Sequence, residues 1–137
     1  MIVADTGAIV ALVDADDRHH AVLRAAFEAD PGAWVLPWAI LPEVDYLLLR
    51  HVGLAAELAF VRDLVDARWS VEWADVADLE RAAELCLRYR KLELGLVDAA
   101  VMAVAERLRA RAIATLDERD FGAVKLLRTF ELLPRDL

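Results

Sequence analysis

LGLVDAAVMAVAERLRARAIATLDERDF, residues 94–121, decides the fold. Val101, Met102, Ala105 and Leu108 recur at the spacing that gathers apolar groups on one face of a helix. Asp98 follows Val97 in the first turn of that helix, so its carboxylate belongs to the helix end and not to the flank. Beyond the helix, Ala112-Ile113-Ala114-Thr115-Leu116 reads as a short apolar strand. It delivers Asp117, with Asp120 one turn further on.

The alternation of strand and helix extends outward through the chain. Met1-Ile2-Val3-Ala4 is apolar without alternation, the pattern of a strand buried on both faces, and it stops at Asp5-Thr6-Gly7. A helical stretch from Ala8 to Val13 breaks at Asp14 to Asp17, where Asp16 or Asp17 is placed to cap the next helix. That helix has Ala21, Val22, Ala25, Ala26 and Phe27 as its apolar face, and Pro31-Gly32 ends it. Trp34-Val35-Leu36 is a second strand. Leu41-Pro42-Glu43 then opens a helix running to about Arg50, because a proline fits only in a helix's first turn. Leu54 to Ala67 forms another helix, and Trp69 to Trp73 a third strand. Asp75 or Asp78 caps the helix ending near Arg90, and Phe130 to Leu133 makes a last edge strand.

Such alternation predicts one domain over residues 1–137, an α/β fold of three layers (α/β/α) with a central, mostly parallel sheet. Functional groups in these sheets gather at the carboxyl ends of the strands, around a switch in strand order. Asp5 and Asp117 directly follow strands, while Glu43 and Asp98 occupy helix starts that can border the same edge.

Composition narrows the class. A chain of 137 residues that is 59% hydrophobic can bury a substantial core and is not a disordered segment. No apolar run approaches the roughly 20 residues of a membrane span, and the first residues lack the features of a signal peptide. A single cysteine, Cys86, excludes an internal disulfide and suits a cytoplasmic location; its helical surroundings predict a buried, inert thiol. The net charge of −8, from 24 acidic and 16 basic residues, opposes nucleic-acid binding by bulk electrostatics. It does not oppose a metal site, where the cation neutralises clustered acids.

Each acid also has a structural use. Asp5 or Thr6 can cap the first helix, and Glu43 complements the dipole of its own. Either Asp98 or Gly95 can cap the helix of the opening stretch. Thr115 to Glu118 fits a capping box. Together, however, carboxylates at one sheet edge repel one another unless a cation sits among them. Oxygen donors without Cys or His favour Mg²⁺ or Mn²⁺ over Zn²⁺, and such ions suit phosphoryl chemistry.

Four segments carry a resemblance: the first strand closing on Asp5-Thr6; Leu41-Pro42-Glu43-Val44; Leu94-Gly95-Leu96-Val97-Asp98-Ala99-Ala100-Val101-Met102-Ala103; and Ala114-Thr115-Leu116-Asp117-Glu118-Arg119-Asp120-Phe121. In this order and over nearly the whole chain, they resemble the PIN-domain ribonucleases, and more closely the VapC toxins of toxin–antitoxin pairs. The resemblance implies a metal-dependent endoribonuclease. Asp5, Glu43, Asp98 and Asp117 would hold one or two Mg²⁺ or Mn²⁺ ions and carry catalysis. Thr6 would orient Asp5 or a water of the site, Thr115 would help fix Asp117, and Asp120 would be an outer supporting acid. Gly95 departs from the pattern, since many relatives carry Ser or Thr there. A housekeeping nuclease without an antitoxin and a silent PIN-like interaction module are the rival readings, and four retained acids weigh against the second.

Arg88, Arg90 and Lys91 lie one loop before the Asp98 helix and read equally as cations at a helix C-terminus or as RNA phosphate contacts. His19-His20 reads as a solvated turn. Most of the four tryptophans read as core, with Trp38, near Glu43, the one placed to flank a groove. Leu12, Val13 and the Tyr46 to Leu49 run offer more apolar side chains than one helix face buries. The resemblance implies an RNA substrate, a homodimer and a VapB-like antitoxin, whose basic tail the acidic charge would favour.

Overall fold

The computed structural model describes all residues, Met1–Leu137. Five short strands, β1 (Ile2–Ala4), β2 (Trp34–Pro37), β3 (Ser70–Glu72), β4 (Ala112–Ala114) and β5 (Glu131–Leu133), form one sheet in the order β3-β2-β1-β4-β5. All four pairings are parallel. Every residue of β1, β2 and β4 is buried, as a parallel sheet covered on both faces requires. Seven α-helices supply the cover: α1 (Thr6–Val13), α2 (His20–Ala29), α3 (Leu41–His51), α4 (Leu54–Val65), α5 (Val76–Arg88), α6 (Leu96–Arg107) and α7 (Glu118–Ala123). None of them is long and apolar enough to cross a membrane.

The chain winds from β1 through β2 to β3 on one side, then returns to add β4 and β5 on the other. Strand order therefore reverses beside β1, and the crevice at the carboxyl ends of β1 and β4 is the place such a sheet offers for a ligand. Their register matches Ile2 with Ala112 and Ala4 with Ala114. The ladder continues as the Asp5 N–H donates to the Ala114 carbonyl at 2.8 Å. That bond carries Asp5 to the side of Thr115.

Helix α6 is more deeply buried than its sequence spacing suggests. A single apolar face was expected, yet all seven residues from Ala99 to Ala105 are buried, while Leu108 is only half-buried. The helix packs on α5, β1 and β2 together. Its alanines at 99, 100, 103 and 105 are what let neighbours approach from every side, and a helix enclosed all round belongs to the core.

Several local expectations are corrected. Helix α1 begins at Thr6, not Ala8, because Asp5 itself is the N-cap and accepts from the Thr6 N–H at 2.8 Å. Neither Asp16 nor Asp17 caps α2; His19 holds that position, and Asp17 instead accepts the His19 N–H at 2.7 Å. His20 is no solvated turn residue, since its half-buried Nδ1 bonds the Ala11 carbonyl at 3.0 Å. Asp75 caps α5, and Asp78 is buried against Arg107. Cys86 is half-buried at the margin of the core. Trp34 is buried and Trp69 packs between Phe27 and Phe60, whereas Trp73 is exposed. Leu12 and Val13 find cover, but Tyr46 and Leu49 do not.

Candidate active site

Two threonine-anchored turns build the edge of the crevice. Asp5 is almost wholly buried, and its two oxygens have separate donors: Oδ1 takes the Thr6 N–H at 2.8 Å and Oδ2 takes the Thr115 hydroxyl at 2.9 Å. The same Thr115 Oγ1 accepts the Asp117 N–H at 3.0 Å. One hydroxyl thus ties the end of β1 to the turn after β4. The capping box expected from Thr115 to Glu118 does not form. Asp117 caps α7, accepting the Asp120 N–H at 3.0 Å, because Thr115 is still on the sheet edge and committed to Asp5. Thr115→Ala removes both bonds and leaves a buried Asp5 oxygen without its donor. Urea denaturation should show a loss of about 1–3 kcal/mol.

Helix starts place the other two acids. Glu43 and Asp98 occupy the same position, third in α3 and in α6, where a carboxylate complements the helix dipole. Gly95, and not Asp98, caps α6 with φ of 79°. This backbone suits glycine and strains any L side chain, which accounts for the absence of Ser or Thr. Asp98 is thereby freed to face the crevice.

Oxygens of Asp98, Asp117 and Asp120 lie within 4.8 Å of one another. Asp120 therefore stands in the cluster itself, although its sequence position suggested an outer place. The spacing of Asp117 to Asp120 across the first turn of α7 was the signal for this, obscured because the turn read as a capping box. Asp5 and Glu43 complete the acidic surroundings. Their charges act on Asp98, and that of Glu43 also acts on Asp5. Glu43 is exposed at the rim. Thr6 is buried with a hydroxyl that has no partner, so it remains available to a ligand or water.

The electrostatic state records this crowding. Burial, followed by the charges of Asp5, Asp117, Asp120 and Glu43, pushes the Asp98 carboxyl up to about 7. Asp5 is raised chiefly by burial, against the opposing pull of its bonds from Thr115 and Thr6. Because folded Asp98 holds its proton more tightly than the unfolded chain does, the associated stability is complete below about pH 4 and is lost as pH rises through about 7. Thermal melts in EDTA should show a decline across this window, worth roughly 1–2 kcal/mol after allowing for screening by solvent. Saturating Mg²⁺ should flatten the profile. A pH-independent melt in EDTA would contradict the assigned crowding.

The residues fit a divalent cation. All donors are oxygen, and one of them, Asp120 Oδ1, is buried without a hydrogen-bond partner. The exposed Arg119 forms only a long ion pair with that atom, at 3.9 Å. The basic residues considered earlier behave differently. Arg88, Arg90 and Lys91 are exposed at the end of α5 and in the turn after it, and Arg90 donates to the Leu87 carbonyl at 3.1 Å. That contact is the use of a cation at a helix C-terminus.

Fold and edge define a doubly wound α/β domain with a carboxylate cluster at its switch point. The family model described as "PIN domain" matches residues 2–127, and the chain belongs to that family. It is 35% identical over 124 residues to Ribonuclease VapC26 of Mycobacterium tuberculosis, covering 90% of this chain and 92% of the relative. Among solved structures, it is similar to VapC20 of Mycobacterium tuberculosis, described as a sarcin-ricin loop cleaving toxin. The TM-score is 0.80 at 25% identity, over 92% of this chain and 97% of the other. DNA-bound VapBC from Salmonella typhimurium shares the fold with a TM-score of 0.71 at 17% identity, over 96% and 95% of the two chains.

Proposed function

We propose that the protein is a divalent-cation-dependent endoribonuclease toxin of the VapC type, hydrolysing RNA phosphodiester bonds and held in check by a VapB-like antitoxin. The observation that carries this is the convergence of Asp98, Asp117 and Asp120 beside a threonine-fixed Asp5, at the carboxyl edge where the strand order reverses. The relative named as a ribonuclease supports the chemistry, and the likeness to a VapC toxin supports the biological setting.

Asp5, Asp98, Asp117 and Asp120 would hold one or two Mg²⁺ or Mn²⁺ ions, with Glu43 at the rim. Bound there, the cation would neutralise the scissile phosphate and the departing oxygen and make water more acidic. The chain's own residues supply order. Thr115 fixes the direction of Asp5 and the Asp120 N–H holds Asp117 Oδ1, so neither carboxylate must be ordered during the reaction. Thr6 offers a free hydroxyl to a water or a phosphate oxygen. Glu43, exposed at the rim, would take a proton from an attacking water.

Association with a partner has its own support. Tyr46, Leu49, Leu54, Leu58, Val61 and Val65 are exposed along α3 and α4, with Val52 in the turn between them, more apolar surface than two helices of a free monomer need show. This stripe would serve the homodimer or the antitoxin, and the cytoplasm is the compartment we assign. Incubation of the antitoxin-free protein with RNA in Mg²⁺, Mn²⁺ or EDTA tests the function. Cuts at defined positions, present with either ion and absent in EDTA, are expected. Cleavage that persists in EDTA would overturn the proposal.

A further inference from the structure

The acidic edge sets a problem for a ribonuclease: a chain of net charge −8 must hold a polyanion. Its cations are not spread evenly. At the amino ends of β1, β4 and β5, opposite the carboxylate cluster, lies an open groove of about 600 Å³ whose lining includes Arg109, Arg111, Arg128, Arg135 and Met1. A second hollow of about 440 Å³ shares Arg128 and Arg135 with it and adds Lys125. This second hollow also reaches Phe121 and Gly122 of α7, the helix that Asp117 caps and that carries Asp120. The two hollows therefore form a track from one turn beyond the acidic cluster to the far end of the sheet.

Pairing decides which charges are free. Arg111 is bound to Glu131 at 2.6 Å, and Arg135 to Asp136 at 2.8 Å. Arg109, Arg128 and Lys125 are exposed, and none of the ten ion pairs of the chain includes them. Arg109 also has φ of 51°, just past the end of α6, where glycine is the usual occupant. An arginine there costs about 1–2 kcal/mol of backbone strain and keeps a positive charge at the groove. In sequence these cations are scattered among acids. Only the adjacency of β1, β4 and β5 collects them.

We propose that this track binds the phosphate backbone of the RNA substrate beyond the cut, with Arg109 and Arg128 in the groove and Lys125 in the second hollow as its contacts. The proposal rests on the ribonuclease function above and extends it to how the substrate is held. From Arg111 to Thr115 the strand rises about 13 Å, at roughly 3.3 Å per residue, so several nucleotides separate the groove from the acidic edge. Sequence-independent phosphate contacts there would position the RNA and offset repulsion by the carboxylates.

Binding of a labelled RNA hairpin to the full chain in EDTA tests this without cleavage. The triple variant Arg109→Gln, Arg128→Gln, Lys125→Gln is compared with the control triple Arg24→Gln, Arg50→Gln, Arg68→Gln, which removes equal charge elsewhere. Loss of three phosphate contacts should weaken binding by about 10-fold or more at low salt and reduce the salt slope by roughly 2. The control should bind nearly as the wild type does. Equal weakening in both triples, or none in the groove variant, would overturn the proposal. So would a polyglutamate chain that binds the groove as tightly as RNA, which would point to an acidic protein partner. Retained groove-dependent binding by a protein that cuts no RNA with Mg²⁺ would leave the groove standing and remove the nuclease function.

Discussion

Asp98→Asn is expected to cut RNA cleavage severely while making the metal-free protein more stable. Both effects have one origin. The Asp98 carboxyl is pushed up to about 7 by burial and by the charges of Asp5, Asp117, Asp120 and Glu43. An amide keeps the shape and removes the charge, relieving repulsion above neutrality. Thermal melts at pH 8 in EDTA should therefore rise, by roughly 1–2 kcal/mol after discounting for solvent screening, or a few degrees. The same change takes an anionic oxygen from the carboxylate cluster that we propose holds the cation. Cleavage should fall at least about 100-fold, roughly 3 kcal/mol of lost transition-state stabilisation. A variant less stable than wild type in EDTA, or active at near wild-type rates, would contradict this assignment.

The largest loss of stability should come from Arg107→Ala. Arg107, in the last turn of α6, reaches Asp78 in the first turn of α5 through two bonds of 2.8 and 2.9 Å, and Glu72 on β3 at 2.8 Å. Exposure makes the two ends of the pair unequal: the Asp78 side chain is 4% exposed and that of Arg107 is 30% exposed. Removing Arg107 strands a buried carboxylate, which should cost about 3–4 kcal/mol. Removing Asp78 leaves an arginine that still touches water and Glu72, and Asp78→Ala should cost about half as much. Urea denaturation of both variants and of the double variant checks the asymmetry. Equal costs, or a greater cost for Asp78→Ala, would contradict it.

Much of the architecture is legible in local pattern. The unbroken apolar runs at Ile2–Ala4 and Ala112–Ala114 read as doubly buried strands because a parallel sheet requires them, and each is followed by an acid at the edge. Pro42 located the start of α3 and so placed Glu43, for a proline is tolerated there and scarcely elsewhere in a helix. What escaped was set by tertiary contact. Thr115 has the spacing of a cap, yet its hydroxyl is used by a residue 110 positions away. The enclosure of α6 follows from packing on three sides, whereas alanine carries little periodic signal. Asp78 looked like a surface cap because its partner lies 29 residues along the chain. The cations of the groove, likewise, become neighbours only through strand order.

The most direct test of the central claim is the chemistry of the cut ends. A cation-assisted attack of water on the phosphorus that breaks the P–O3′ bond, with the 3′-oxygen leaving as the hydroxyl, gives a 5′-phosphate and a 3′-hydroxyl, and the cluster contains no histidine to activate the ribose 2′-hydroxyl instead. Mass spectrometry of RNA fragments made by the wild-type protein in Mg²⁺ should find those ends alone, with none formed in EDTA. Fragments ending in a 2′,3′-cyclic phosphate would show that the carboxylates of this edge do not perform the reaction.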